Sequence, residues 1–317
     1  MKVVCLGGTG GMGRYAARTA AAFDFVEEIT IADLNVKAAE AFASELGPKA
    51  RAVAVDVTDP DLLRSVLAQG DAVLNTVGPF FRFGVPILKA VIETGKNYVD
   101  ICDDWEPTLE MLDLHDRAVQ AGITAVIGLG ASPGITNLLA VMAIRELDRT
   151  EKIYTVWDLD SAKPETIGPA PSAAMVHGML QLTGKIRVWE NGGYREVRPV
   201  RKIPVDYPGI GRRTSWSIGH PEAITLPRYF PDLKTSRNLM VTSGANIFGL
   251  WIVGVLVNTG LLSIEKAARI AEKIEGTGVG RTPGDFIREA QSKGPLRLPP
   301  LFALAEGEKR RQAQRSF

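Results

Sequence analysis

The segment Gly8-Thr9-Gly10-Gly11-Met12-Gly13 stands between the apolar run Lys2–Leu6 and a stretch with helical periodicity. In a strand–loop–helix context, this Gly-x-Gly-x-x-Gly spacing constrains the fold more than any other feature of the chain. Gly8 permits the tight turn, Gly10 lets the backbone approach a pyrophosphate, and Gly13 lets helix and strand pack closely. Free N–H groups, those of Thr9 and Met12 among them, and the helix dipole face the anion. Gly11 completes the loop.

Six short runs, Lys2–Leu6, Glu28–Ala32, Arg51–Val55, Ala72–Asn75, Asn97–Ile101 and Thr124–Ile127, alternate with helices expected to start near Met12, Val36, Asp61, Val85, Pro107 and Ile135. That pattern predicts an α/β Rossmann domain, a doubly wound parallel sheet, over residues 1–148. Beyond it the composition changes. Val156–Leu159, Ile186–Glu190, Glu196–Val200 and Ser215–Ile218 read as strands, the turn Glu190-Asn191-Gly192-Gly193 separating two of them. Helical periodicity returns in Ala174–Leu182, Ile247–Leu262 and Ile264–Ile274. Residues 149–306 are therefore expected to form an α+β substrate-binding and dimerisation domain on a mostly antiparallel sheet, followed by a polar tail, 307–317.

Lys and Arg number 37 against 36 Asp and Glu, so no charge excess attracts nucleic acid or an anionic membrane. Two cysteines, Cys5 and Cys102, provide neither a disulfide framework nor a CxxC metal site; no metal is expected, and the usage suits a reducing cytoplasm. The N-terminus enters a strand without the regions of a signal peptide. The apolar stretch Ile247–Leu262 is only about 16 residues long and contains Asn258 and Thr259, short of the ~20 that span a bilayer. It is expected to be a buried helix.

An acidic residue about 20 positions after the loop, at the end of the second strand, completes the dinucleotide fingerprint. Asp33 fills that place, with helix capping by Asp33 or Asn35 as the competing use. Its carboxylate chelates ribose hydroxyls and repels a 2′-phosphate, which favours NAD; Lys37, one turn on, leaves NADP possible. Asp56, after the third strand, joins the cofactor-binding set. Ligands of such sheets lie beyond the carboxyl ends of the strands, which selects three further segments. Asn75-Thr76-Val77-Gly78-Pro79 follows strand four, and Asn75, Val77 and Gly78 are expected at the cofactor ribose; Phe80 and Phe81 either touch ligand or pack between domains. Asp100, Asp103 and Asp104 cluster around strand five, to hold an ammonium, accept a proton or cap the next helix. Asp103 is the candidate catalytic acid among them, and Cys102 lacks a neighbouring histidine in sequence. The small-residue loop Gly130–Gly134 enters a helix whose start can receive a substrate carboxylate, placing Pro133, Gly134 and Asn137 in the substrate set.

These motifs, with Tyr98-Val99-Asp100, Gly130-Ala131-Ser132-Pro133-Gly134-Ile135-Thr136-Asn137 and Gly219-His220-Pro221-Glu222-Ala223-Ile224-Thr225-Leu226-Pro227-Arg228, resemble the saccharopine dehydrogenase-like family. The lysine 6-dehydrogenase and carboxynorspermidine dehydrogenase branches look closest. The resemblance implies oxidation of the C–N bond of an amino acid or opine, giving an imine that water opens, or the reverse reductive amination. It also implies a cytoplasmic homodimer acting on a small molecule. His220, alone of three histidines, falls in a family-like motif and is the second catalytic candidate, for proton transfer; His115 and His177 sit in helical stretches and read as structural. Glu222, Thr225 and Arg228 follow as substrate-binding residues, Glu222 for a second amino group and Arg228, with Arg212 and Arg213 nearby, as a carboxylate clamp. Members of the family commonly extend past the position where this chain stops, at Phe317.

None of the six tyrosines precedes a lysine by four positions, which disfavours a short-chain dehydrogenase, and a semialdehyde dehydrogenase would have only Cys102, outside the first strand, as its acylating thiol. A redox-sensing protein that holds the dinucleotide without chemistry is the alternative from another functional class.

Overall fold

A computed structural model describes residues 1–159, 173–242, 244–277 and 298–309. The chain divides into two compact units, Met1–Pro133 and Gly134–Phe317.

In the first unit the elements run β1 (Lys2–Leu6), α1 (Gly11–Ala22), β2 (Glu28–Asp33), α2 (Val36–Leu46), β3 (Ala50–Ala54), α3 (Pro60–Leu67), β4 (Ala72–Asn75), α4 (Phe80–Thr94), β5 (Asn97–Asp100), α5 (Trp105–Leu112), α6 (His115–Gln120) and β6 (Ala125–Val126). Every strand pairs in parallel, in the order β3-β2-β1-β4-β5-β6. The order reverses between β1 and β4, which opens the crevice above their carboxyl ends. Alternation along β1 divides its side chains between the two faces: Val3 and Cys5 pack with Ile29, Ile31, Ala17 and Phe42, Val4 and Leu6 with Val73, Leu67, Ile87 and Val91. Local chemistry sets the boundaries. The Asp59 carboxylate accepts from the N–H groups of Asp61 and Leu62, with Pro60 opening α3. Helix α4 starts at Phe80, five residues earlier than the apolar run at Val85 suggests, because the Asp104 carboxylate takes the Phe81 N–H, 3.1 Å away. Helix α5 starts at Trp105, ahead of Pro107, which falls in a first turn whose N–H groups need no helical partner.

The second unit contains α7 (Ile135–Arg145), β7 (Arg149–Asp158), α8 (Ala173–Gln181), β8 (Ile186–Glu190), β9 (Gly193–Val197), β10 (Lys202–Tyr207), β11 (Gly211–Ile218), α9 (Glu222–Tyr229), β12 (Thr235–Val241), α10 (Gly244–Asn258), α11 (Ile264–Thr277) and β13 (Leu301–Glu308). Seven strands among the described residues form one sheet, β10-β11-β12-β7-β13, with the β8–β9 hairpin also paired to β12. Its pairings are antiparallel except β12 with β7. The hairpin turns on Asn191 (φ 54°) and Gly192 (φ 71°), so Glu190 faces Gly193 and β9 begins there rather than at Glu196.

Three strands escape a reading by periodicity. β12 is buried along both faces although it carries Ser236, Arg237 and Asn238; β10 contains Pro204, tolerated because β10 is an edge strand; and β13 takes Gly307 and Glu308, assigned from sequence to the tail. Residues 310–317 of that tail lie outside the described residues. The expectation of a buried helix at Ile247–Leu262 is corrected: Leu250, Val253 and Val257 of α10 pack inward, while Phe248, Trp251, Ile252 and Val255 form an exposed stripe. No helix among the described residues is long and apolar enough to cross a membrane.

Candidate dinucleotide site and buried acid–base network

The loop after β1 is shaped by what its glycines exclude. A Cβ on Gly13 would stand 2.2 Å from the Gly7 carbonyl oxygen, and one on Gly8 would stand 2.9 Å from Ile31 Cγ2. Gly11, by contrast, borders open space. The N-terminus of α1 has no side-chain cap and no acidic residue in its first turn, so its amide dipoles are available to a phosphate. Steric closeness below and open donors above fit a dinucleotide pyrophosphate.

Asp33 closes the end of β2. Its Oδ2 accepts from the Thr9 N–H (3.1 Å) and Thr9 Oγ1 (2.7 Å), its Oδ1 from the Asn35 N–H (3.0 Å); the expectation that the Thr9 N–H faces the anion is thereby corrected, because Asp33 takes that donor. Asn35, not Asp33, caps α2, accepting from the Ala38 N–H, which settles the competing use of these two side chains. Asp56 is exposed; hydrogen bonds from Thr58 Oγ1 and N–H hold its carboxyl below the usual range.

Under the ends of β4 and β5 lies a fully built polar network. Asn75 is buried, accepts from the Val77 N–H and donates to Tyr98 Oη (2.9 Å); Tyr98 donates to Asp100 Oδ2 (2.7 Å). Asp100 Oδ1 accepts from the N–H groups of Cys102 and Gly128. Burial pushes the Asp100 carboxyl up and the Tyr98 phenol far above its ordinary value. The Asn75 side chain thus holds the Val77–Gly78 turn from below. Burial also raises the Cys102 thiol, with the Asp100 charge adding to the effect, which deprives it of the thiolate a nucleophile needs. Asp103 is half-buried in the β5–α5 connection. Of the aromatic pair, Phe80 belongs to the core of this unit and Phe81 is half-exposed. Pro133, the last residue of the unit, is buried.

In the second unit the β11–α9 connection places His220 and Glu222 side by side, both fully buried. His220 Nδ1 lies 2.5 Å from Glu222 Oε2. Asn238 Nδ2 on β12 donates to the same oxygen (3.0 Å) and to Thr155 Oγ1 on β7, while Thr136 Oγ1 on α7 donates to Glu222 Oε1 (2.5 Å). The Trp157 ring stands edge-on to His220 at 4.8 Å and the His177 ring at 5.8 Å; His177 is itself hydrogen-bonded to Gln181. The remaining expected residues separate. Asn137 accepts from the Gly134 N–H and donates to Thr225 Oγ1 (3.4 Å), whereas Arg228 is exposed on the last turn of α9, and Arg212 and Arg213 are exposed on β11. Sequence reasoning missed Thr136, Trp157, His177 and Asn238, whose proximity to the pair comes from pairing of β12 with β7 and packing of α7 and α8.

A glycine-rich turn between β1 and α1, an acidic end to β2 and the strand order of the first unit define an NAD(P)-binding domain of the Rossmann class. Residues 3–126 match the family model described as saccharopine dehydrogenase NADP binding domain. That match lies within the N-terminal unit, Met1–Pro133. Similarity extends into the second unit with carboxyaminopropylagmatine dehydrogenase of Synechocystis sp., 26% identical over 286 residues, covering 86% of this chain and 70% of the relative. Carboxynorspermidine synthase of Vibrio alginolyticus is 26% identical over 250 residues, 71% and 59% of the two chains. The solved structure of apo saccharopine dehydrogenase (L-Glu forming) from Saccharomyces cerevisiae shares the fold, with a TM-score of 0.57 at 23% identity, over 80% of this chain and 58% of that one. The chain thus spans a little under three fifths of the Vibrio relative and of the yeast structure.

Proposed function

We propose that this protein is an NAD(P)-dependent dehydrogenase of the C–N bond of an amino acid or opine, forming an imine or, in reverse, reducing one. The observation that carries the reading is the His220–Glu222 pair: a buried imidazole held by a carboxylate that is itself held by Thr136 and Asn238. A protein that only sensed a dinucleotide would have no use for so constrained a proton acceptor. The names of the Synechocystis and Vibrio relatives, carboxyaminopropylagmatine dehydrogenase and carboxynorspermidine synthase, support the substrate class.

When bound, the nicotinamide supplies the hydride acceptor. The chain's residues do the rest. The Gly8–Gly13 loop binds the pyrophosphate and Asp33 the adenine ribose, with NAD preferred over NADP because the carboxylate opposes a 2′-phosphate. His220 takes the proton that leaves the amine as the C=N bond forms. Glu222 orients the imidazole rather than binding a second substrate amine, since both of its oxygens are engaged. Asp103 is assigned as the second catalytic residue, to hold the substrate ammonium or accept its proton, Arg228 to a carboxylate, and Asn137 with Thr225 to polar contacts on the substrate. Cys5 and Cys102 are free buried thiols, which suits the cytoplasm. Incubation with NAD+ or NADP+ and a panel of L-lysine, saccharopine, ornithine and related diamines tests the reading. A rise in absorbance at about 340 nm, the nicotinamide band that reports hydride transfer, is expected; measured cofactor binding with no rise across the panel contradicts it.

A further inference from the structure

We propose that Thr9 is a specificity-determining residue: it locks the Asp33 carboxylate in the orientation that admits a free 2′-hydroxyl and rejects a 2′-phosphate. The inference rests on Asp33 facing the adenine ribose. An ionised carboxylate offers about four acceptor positions, two on each oxygen. In this chain Oδ2 receives two donors, the Thr9 N–H at 3.1 Å and Thr9 Oγ1 at 2.7 Å. Oδ1 receives one, the Asn35 N–H at 3.0 Å. One position therefore remains, on Oδ1, and it is the one a ribose hydroxyl can fill.

The lock matters because an unrestrained aspartate discriminates poorly. A free side chain rotates about χ1 and lets a phosphate dianion pass at the modest cost of a new rotamer. Here the same rotation breaks three hydrogen bonds to an ionised acceptor, each stronger than a neutral one. The carboxylate stays where its charge opposes the phosphate. The hydroxyl of Thr9 contributes the shortest of the three bonds, and its residue sits inside the phosphate-binding loop, so cofactor choice and loop shape are fixed by one contact. Thr9→Val removes the hydroxyl donor while leaving the backbone N–H bond and nearly the same side-chain volume; Thr9→Ser keeps the donor.

Calorimetric titration of the full chain with NAD+ and with NADP+, compared through the ratio of their dissociation constants, tests the proposal without any substrate. The wild type and Thr9→Ser are expected to bind NAD+ more tightly. Thr9→Val is expected to lower that ratio on the order of tenfold, chiefly by binding NADP+ better; tenfold corresponds to about 1.4 kcal/mol. Thr9→Ala serves in its place if the valine variant does not melt as a folded protein. A ratio within about twofold of wild type in the valine or alanine variant, while Asp33→Ala abolishes the preference, overturns the lock and leaves the role of Asp33 intact. A wild type that prefers NADP+, or an Asp33→Ala variant with an unchanged ratio, overturns the role of Asp33 and the lock with it.

Discussion

The positions of Gly13 and Asp33 were legible because the loop and the β2 terminus sit at fixed offsets in sequence. Gly13→Ala would put a methyl group 2.2 Å from the Gly7 carbonyl, forcing α1 away from β1. The expected cost is about 1–3 kcal/mol, as for other overpacked sites, with weakened NAD(P) binding. Chemical denaturation and cofactor titration check both. Glu222 was legible as a residue of interest but not in its role, because its partners Thr136 and Asn238 lie 86 and 16 positions away. Asp100 makes a pH prediction. Burial raises its carboxyl above the ordinary 3.8, so the native state holds this proton to higher pH than the unfolded chain does. Its contribution is full below about 3.8 and is lost as pH rises through the raised value. Asp100→Asn keeps an acceptor for the Cys102 and Gly128 N–H groups and removes the titration. The variant is expected to gain stability relative to wild type as pH rises through that window, measured as the urea midpoint at each pH; a constant difference contradicts the assignment.

Elements of the first unit were legible where punctuation was strong. Asp59-Pro60 marks the start of α3, and its boundary agrees to within one residue. Asp59→Ala removes a side chain that accepts two orphan N–H groups and is expected to cost about 1 kcal/mol in a denaturant titration, without changing cofactor affinity. The β8–β9 hairpin was legible through Asn191-Gly192, yet β9 starts earlier than expected because the two-residue turn leaves no slack. β12 was hidden for a physical reason. A strand covered on both faces has no period-two contrast, and its polar residues bond to distant partners: Asn238 to Thr155 and Glu222, Arg237 through Nη2 to Glu190. Helix α9 was hidden by Pro227, which reads as a breaker and instead falls near the helix end.

At the scale of the molecule, the parallel unit follows from successive β–α–β connections, so sequence order maps onto sheet order with one reversal. The second sheet depends on the parallel pairing of β7 with β12, in which Lys152 faces Thr235 and Asp158 faces Val241, and no local pattern announces such a pairing. Its consequence is the buried His220 network, on which the proposed chemistry turns. The most direct measurement compares wild type with His220→Asn on the panel substrate that turns over, with cofactor affinity measured in parallel. Loss of a positioned proton acceptor is expected to lower kcat on the order of 100-fold or more, with the dissociation constant of the nicotinamide cofactor unchanged. A variant that turns over as fast as wild type would contradict the account.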